Sequence, residues 1–434
     1  MPCALLSAAL ALPAYAQAPK PPAKQTQTTR TRSPHPLQEL LDRAEKALAE
    51  EQFPVAIEAL EKFLAEQPDD PYAHFHLGYA HTGLRQWPQA IAAYRRATEL
   101  KPDMAAAHLN LGLILYEHES PEASVTSLRR ASELLANEAR PHFLLGAALE
   151  RSGKHAEAIV EYRAAAALDS RDADTQLALG RALLSTGKPA NAEAAFRRAL
   201  ELDPQNSGAR LGLAQSLIEQ KKPAQAAAEL EAFLAAQPDN AEAWRQLATL
   251  HLESEDYEKA LAALDRADAV GQPPAAPSLL LRADIYQRQR RTDDAIATLA
   301  TLLQQQPQDA ALHARLGRLH LEKRDFPAAE RALLAALRLD SSSLDALRDL
   351  ASVYYLAEKY DAALAVMDRI EQREPPRAFS WFIRATCYDK LLRKAEAIAA
   401  YEKFLELDAG RDESRGIQAR ARVRTLKREL ENKR

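Results

Sequence analysis

Cysteine is almost missing from this sequence, with only Cys3 and Cys387 in 434 residues. Cys3 falls in a leader expected to be removed, and a lone cysteine cannot close a disulfide within the chain. Neither a disulfide framework nor a thiolate metal site is therefore expected, and Cys387 reads as a half-buried small apolar residue. Glycine is scarce at 13, aromatics make up 6%, and long β-branched runs are absent, so an all-α fold is expected. A strong charge of either sign is lacking too. The formal net charge is −4, which leaves no overall footprint for nucleic acid. The chain has no Gly-rich phosphate loop after a strand, no nucleophile elbow, and no helical His pair with an acid between. Catalytic residues, cofactors and metals are accordingly not expected. What the sequence does hold is Ala, Leu, Glu, Arg and Gln, the side chains that lose least freedom on a helix.

Residues 1–16 read as a signal peptide. Leu5 to Leu12 form a short apolar core, and Ala14-Tyr15-Ala16 is the kind of site a signal peptidase accepts, placing cleavage before Gln17. The core is too short to span a bilayer, and no transmembrane segment is expected in the mature chain. No Lys or Arg precedes the core, so either translation starts upstream of Met1 or the segment is no export signal. Export to the periplasm or outside the cell is expected, with a cytoplasmic location as the alternative. Residues 17–36, with Pro19, Pro21, Pro22, Pro34 and Pro36, four basic residues and no acid, read as a disordered linker.

A period of 34 residues organises the rest. Repeats fall at 37–70, 71–104, 105–138, 139–172, 173–206, 207–240, 241–275 (one residue longer), 276–309, 310–343, 344–377 and 378–411. Column eight is Gly or Ala throughout: Ala44, Gly78, Gly112, Gly146, Gly180, Ala214, Ala248, Ala283, Gly317, Ala351 and Ala385. Column twenty is Ala in every repeat except for Ser124. Two helices whose backbones nearly touch need a side chain no larger than a methyl at the crossing. Column twenty-four supplies large apolar groups such as Tyr94, Tyr162, Phe196 and Leu333, and column seven is Leu except at Arg43, Arg282 and Arg384. Column thirty-two carries Pro68, Pro102, Pro204, Pro238, Pro307 and Pro375, which end the second helix. Asp69, Asp103, Asp203, Asn206 and Asp239 nearby are candidates to cap the next one. Single columns depart from the pattern at Ser124, Ala136, Ser170, Gln272, Ser341 and Ala409 without breaking the register.

This pattern resembles the tetratricopeptide repeat, over residues 37–411, and the chain looks like a bacterial exported member of that family. The resemblance implies a right-handed superhelix of eleven helix–turn–helix units whose first helices line a concave groove with columns two, five, nine and twelve. In that frame Tyr72, Phe75, Tyr79, Leu109, Leu113, Tyr116 and Phe143 give an aromatic and apolar N-terminal half. From repeat five onward the columns turn polar, with Arg181, Arg245, Arg318 and Arg348 among Asp and Gln residues. Together these form the candidate partner-binding set. The Lys and Asn pair of the family's carboxylate clamp is missing from every repeat, so recognition of a C-terminal carboxylate is not expected. Column four collects His74, His108, His142 and His313, and column eleven His81, His251 and His320. A column places its members one repeat apart, so a structural role is expected in preference to metal ligation.

Residues 412–434 lack a second helix. Ala419, Val423, Leu426 and Leu430 make one apolar stripe, which suits an amphipathic helix covering the end of the array. Its basic residues read as a solvated outer face. The expected function is a non-catalytic scaffold that takes a protein or peptide in the groove and serves envelope assembly, secretion or polysaccharide export. The alternative is a cytoplasmic adaptor or co-chaperone. The sequence leaves the oligomeric state and the partner's identity open.

Overall fold

The computed structural model describes residues 36–271 and 274–431. The leader and most of the linker lie outside the described residues. Among the described residues are 23 helices and no strand. They run as eleven hairpins, from Pro36–Ala49 with Phe53–Glu66 to Ala378–Lys390 with Lys394–Asp408, followed by Glu413–Glu431 alone. From repeat two onward each hairpin opens on the first residue of its 34-residue unit, at Pro71, Ala105, Ala139 and so on to Ala378. The hairpins fall into two compact units that divide after Ala236, six in the first and five plus the last helix in the second.

Close approach within each hairpin follows from the small columns. A Cβ added at Gly78 would lie 2.8 Å from the Tyr94 ring, at Gly146 2.8 Å from Tyr162, and at Gly180 2.6 Å from Phe196. Column eight thus meets column twenty-four of its own repeat, and the ring occupies the space that a side chain would need. Tyr94, Phe196, Leu230, Leu264 and Leu333 are fully buried there, as are Ala90, Ala158 and Ala192 in column twenty. Two of the three arginines of column seven keep their charge inside by pairing, while Arg43 is exposed. Arg282 holds Asp265 and Asp268 at 2.8 Å, and Arg384, 5% exposed, holds Asp368 at 2.6 Å and Glu371 at 2.8 Å. In both cases the acids come from columns twenty-five and twenty-eight of the preceding repeat. A buried guanidinium left unpaired would be strongly destabilising, so the two acids are part of the substitution.

The caps differ from expectation. Caps sit in column thirty-four, where Asp70, Asp172, Asn206, Asn240, Asp309 and Ser343 accept from the backbone N–H groups of the first turn. Of the expected caps only Asn206 does so. Asp69 instead pairs with Arg96 at 2.5 Å, and Asp203 accepts from the Gln205 backbone within the turn. A cap must directly precede the first helical residue, and these positions lie one to three residues too early. At the hairpin turns the fifteenth residue is left-handed in ten repeats, although only Gly153 and Gly187 are glycines there. The next N–H reaches back five residues, as from Lys154 to Leu149 at 2.8 Å and from Arg393 to Tyr388 at 2.9 Å. This closes the first helix of those ten repeats with a Schellman motif.

Candidate functional site

In the first unit half of the expected binding residues are core. Phe75 is fully buried, its ring 5.6 Å from that of Tyr94, in a cluster with Ala107 and Leu111 of the next repeat. Leu109, Leu113 and Tyr116 are 4, 8 and 7% exposed, and the Arg151 guanidinium covers the Tyr116 ring at 4.6 Å. These four are therefore corrected from partner-binding to packing. Their columns lie where one first helix meets the next, and the neighbouring repeat closes over them. Tyr72, Tyr79 and Phe143 are half-buried. The Lys101 ammonium donates to the Tyr72 hydroxyl at 2.5 Å, Tyr79 stands edge-on to Phe53, and Phe143 lies 5.8 Å from Tyr162.

The arginines of the polar columns are mostly engaged. Arg245 pairs with Glu242 at 2.5 Å on its own helix. Arg318 reaches Asp349 of the next repeat at 2.9 Å, and Arg348 holds Asp345 at 3.0 Å and both oxygens of Glu374 at 2.8 Å. Arg315 likewise crosses to Asp284. In the second unit ion pairs thus tie the first helix of repeat nine to those of repeats eight and ten, and the other two arginines are paired within their own repeats. Arg181, in the first unit, is exposed and makes no ion pair among the described residues.

Column four has a structural use. The ring Nε2 atoms of His74, His108 and His313 lie 2.8, 3.1 and 3.1 Å from the carbonyls of Pro68, Pro102 and Pro307. Trp244 and Arg210 make the same bond to Pro238 and Pro204. Column four thus satisfies the proline carbonyl that ends the previous repeat, and a donor of any shape with that reach serves. Among the described residues no group of three His, Cys, Asp or Glu could hold a metal ion.

A recess that the column reading did not identify lies between repeats ten and eleven. The second helix of repeat ten, Tyr360–Glu371, has 12 residues where that of repeat nine, Phe326–Leu339, has 14. Pro375 and Pro376 follow and keep Glu374 and Pro375 out of the helical region, and the linker runs from Gln372 to Arg377. A cavity of about 440 Å³ results, lined by Tyr355, Leu356, Met367, Ile370, Phe379 and Ile383, with Arg348, Glu371, Glu374 and Arg377 among its polar residues. Leu356 and Phe379 are 47% and 52% exposed. The Arg415 guanidinium lies over the Phe379 ring, 4.8 Å from its centroid. The signal in the sequence was the doubled proline together with Phe379 in column two, a groove column. Nearby Cys387 is fully buried, and burial pushes its thiol up to about 11, so it remains a neutral thiol at ordinary pH.

Comparison with known families agrees with the hairpin geometry. Residues 85–119 match a TPR repeat family, and residues 41–84, 280–343, 315–379 and 380–411 match tetratricopeptide repeat families. Residues 163–272 match the family described as cytochrome c-type biogenesis protein H TPR domain. The chain is a tetratricopeptide-repeat protein. No curated protein matches it. Among solved structures, this tetratricopeptide-repeat protein is similar to YrrB, described as a TPR protein with an unusual peptide-binding site. That match has 24% identity and a TM-score of 0.40, and covers 44% of this chain and 98% of YrrB. For pilF of Pseudomonas aeruginosa the values are 26%, 0.39, 47% and 92%, and for yeast Tom70 14%, 0.35, 91% and 96%. Repeats of this type generally mediate protein–protein interaction, and among the described residues no helix is long and apolar enough to cross a membrane.

Proposed function

We propose that this tetratricopeptide-repeat protein is a non-catalytic scaffold that binds a protein or peptide partner on the concave faces of its first helices, without a nucleic-acid partner. The observation that carries the reading is the recess between repeats ten and eleven, where Leu356 and Phe379 stay exposed while Phe75, Leu109, Leu113 and Tyr116 of repeats two and three are buried. Large apolar side chains in a concave site are what a partner's anchor residues use. Within that reading, the protein is exported and works in envelope assembly, secretion or polysaccharide export. The match of residues 163–272 to the TPR domain of a biogenesis protein supports an assembly role.

Affinity capture from envelope extract, with the chain beginning at Gln17 as bait, tests the scaffold. A protein recovered in stoichiometric amount is expected, and recovery of nothing above an unrelated helical-repeat bait contradicts it. N-terminal sequencing of the mature protein tests the location. A chain starting at Gln17 supports export, and one that retains residues 1–16 favours the cytoplasmic adaptor.

A further inference from the structure

We infer that the recess between repeats ten and eleven takes a partner segment in which a large apolar side chain lies close to a carboxylate. The inference rests on the scaffold reading and specifies the partner's chemistry at one place.

The apolar half of the specification comes from the walls. Leu356 reaches the recess from the end of the first helix of repeat ten, and Phe379 from the start of the first helix of repeat eleven. A volume of about 440 Å³ falls in the range of about 300–1,000 Å³ typical of ligand sites. Burying one leucine- or phenylalanine-sized group there is worth roughly ten- to a hundredfold in affinity.

The acidic half comes from an inventory of charge. Both carboxylates of the lining already hold an arginine: Glu371 lies 2.8 Å from Arg384, and Glu374 lies 2.8 Å from Arg348. Arg377, exposed at the mouth, makes no ion pair among the described residues. Arg373 on the same linker donates only to the Ser341 carbonyl, at 2.8 Å. A cation in the partner would have to compete with Arg384 or Arg348 for its acid. A carboxylate would meet a free guanidinium without breaking any existing bond.

The test uses the full chain and fluorescein-labelled Gly–Ser peptides carrying a single Phe followed by glutamates. Matched peptides carry lysines in place of the glutamates, or Ala in place of the Phe. Fluorescence anisotropy at low salt should show the acidic Phe peptide binding about tenfold more tightly than the basic one. The Ala peptide should lose most of the affinity. Leu356→Ser with Phe379→Ser should abolish binding with the helical circular dichroism unchanged. Arg377→Glu should remove the preference for acid but keep that for Phe, with Arg377→Gln intermediate. Equal binding of acidic and basic peptides, indifference to the recess variants, or no binding by about 1 mM peptide would overturn the inference. So would a dimer in sedimentation that the Phe379 variant dissolves, since the occupant would then be a second copy of the chain. A partner captured from extract with undiminished yield by the recess variants would leave the scaffold standing and remove this site.

Discussion

Phe75 and Phe379 both occupy groove columns of a first helix, five in repeat two and two in repeat eleven. One is fully buried and the other is half exposed. Column position was legible in the sequence, because the small and large columns fix which face of each helix meets its own partner. Exposure was not, because it depends on how closely the next repeat stacks, and the linker decides that. The linker over Phe75 is only Lys101–Met104, whereas the one beside Phe379 runs from Gln372 to Arg377 and carries Pro375-Pro376. Of the expected binding residues, those that the next repeat covers turned out to be core, and the exposed pair was found only with the structure in hand. Phe75→Ala should therefore behave as a core truncation. It removes a ring packed against Tyr94 and the next repeat, and should destabilise the first unit by about 3–5 kcal/mol. Urea denaturation followed by circular dichroism measures this. A variant that denatures like the wild type but fails to capture a partner would return Phe75 to the binding set.

At the scale of the hairpin, the spacing of the columns set where helices begin and end, but the chemistry of the turn was hidden. A glycine at the fifteenth position would have announced the left-handed residue, yet most repeats place Glu, Arg, Lys or Leu there. Register and the bond reaching back five residues impose the conformation, and the side chain tolerates it. Leu392 has φ 60° and is 77% exposed, so its side chain contributes little packing against the strain. A left-handed residue with a Cβ costs roughly 1–2 kcal/mol, which glycine does not incur. Leu392→Gly is expected to stabilise the second unit by about 0.5–1 kcal/mol after the added chain entropy is subtracted. The converse change, Gly153→Ala, meets no atom within 4 Å, and so isolates the backbone effect from any clash. It should destabilise the first unit by about 1 kcal/mol. Midpoints of urea denaturation give both signs, and two shifts in the same direction would show that packing, not backbone strain, governs these turns.

A stacked array leaves its last hairpin with one face that no further repeat covers, and the final helix answers this in the second unit. Ala419 and Leu426 are fully buried and Val423 nearly so, against Tyr401 and Phe404 of the last hairpin, while Leu430 stays partly exposed. The stripe at spacings of four, three and four was enough to predict the helix, because amphipathic periodicity survives without any family motif. Its basic residues are less free than they look. Arg422 grips Asp389 through two bonds of 2.5 and 2.8 Å, Lys427 pairs with Glu402, and Arg415 with Asp412. Ending the chain after residue 411 should expose Phe404 and Tyr401 and cost the last hairpin about 3 kcal/mol or more in apolar burial. Because each repeat is stabilised mainly by its neighbours, the loss should be greatest at the end and fade inward. Hydrogen exchange resolves this by position: residues 378–411 should lose protection by about a hundredfold or more, and residues 310–343 far less. Arg422→Glu, which keeps the apolar stripe but places two acids together, should give the same gradient at smaller amplitude. Uniform loss across all five hairpins of the second unit would mean that the unit unfolds as one cooperative block and that the helix stabilises all of it. Unchanged protection would mean that the last hairpin is stable with its face bare.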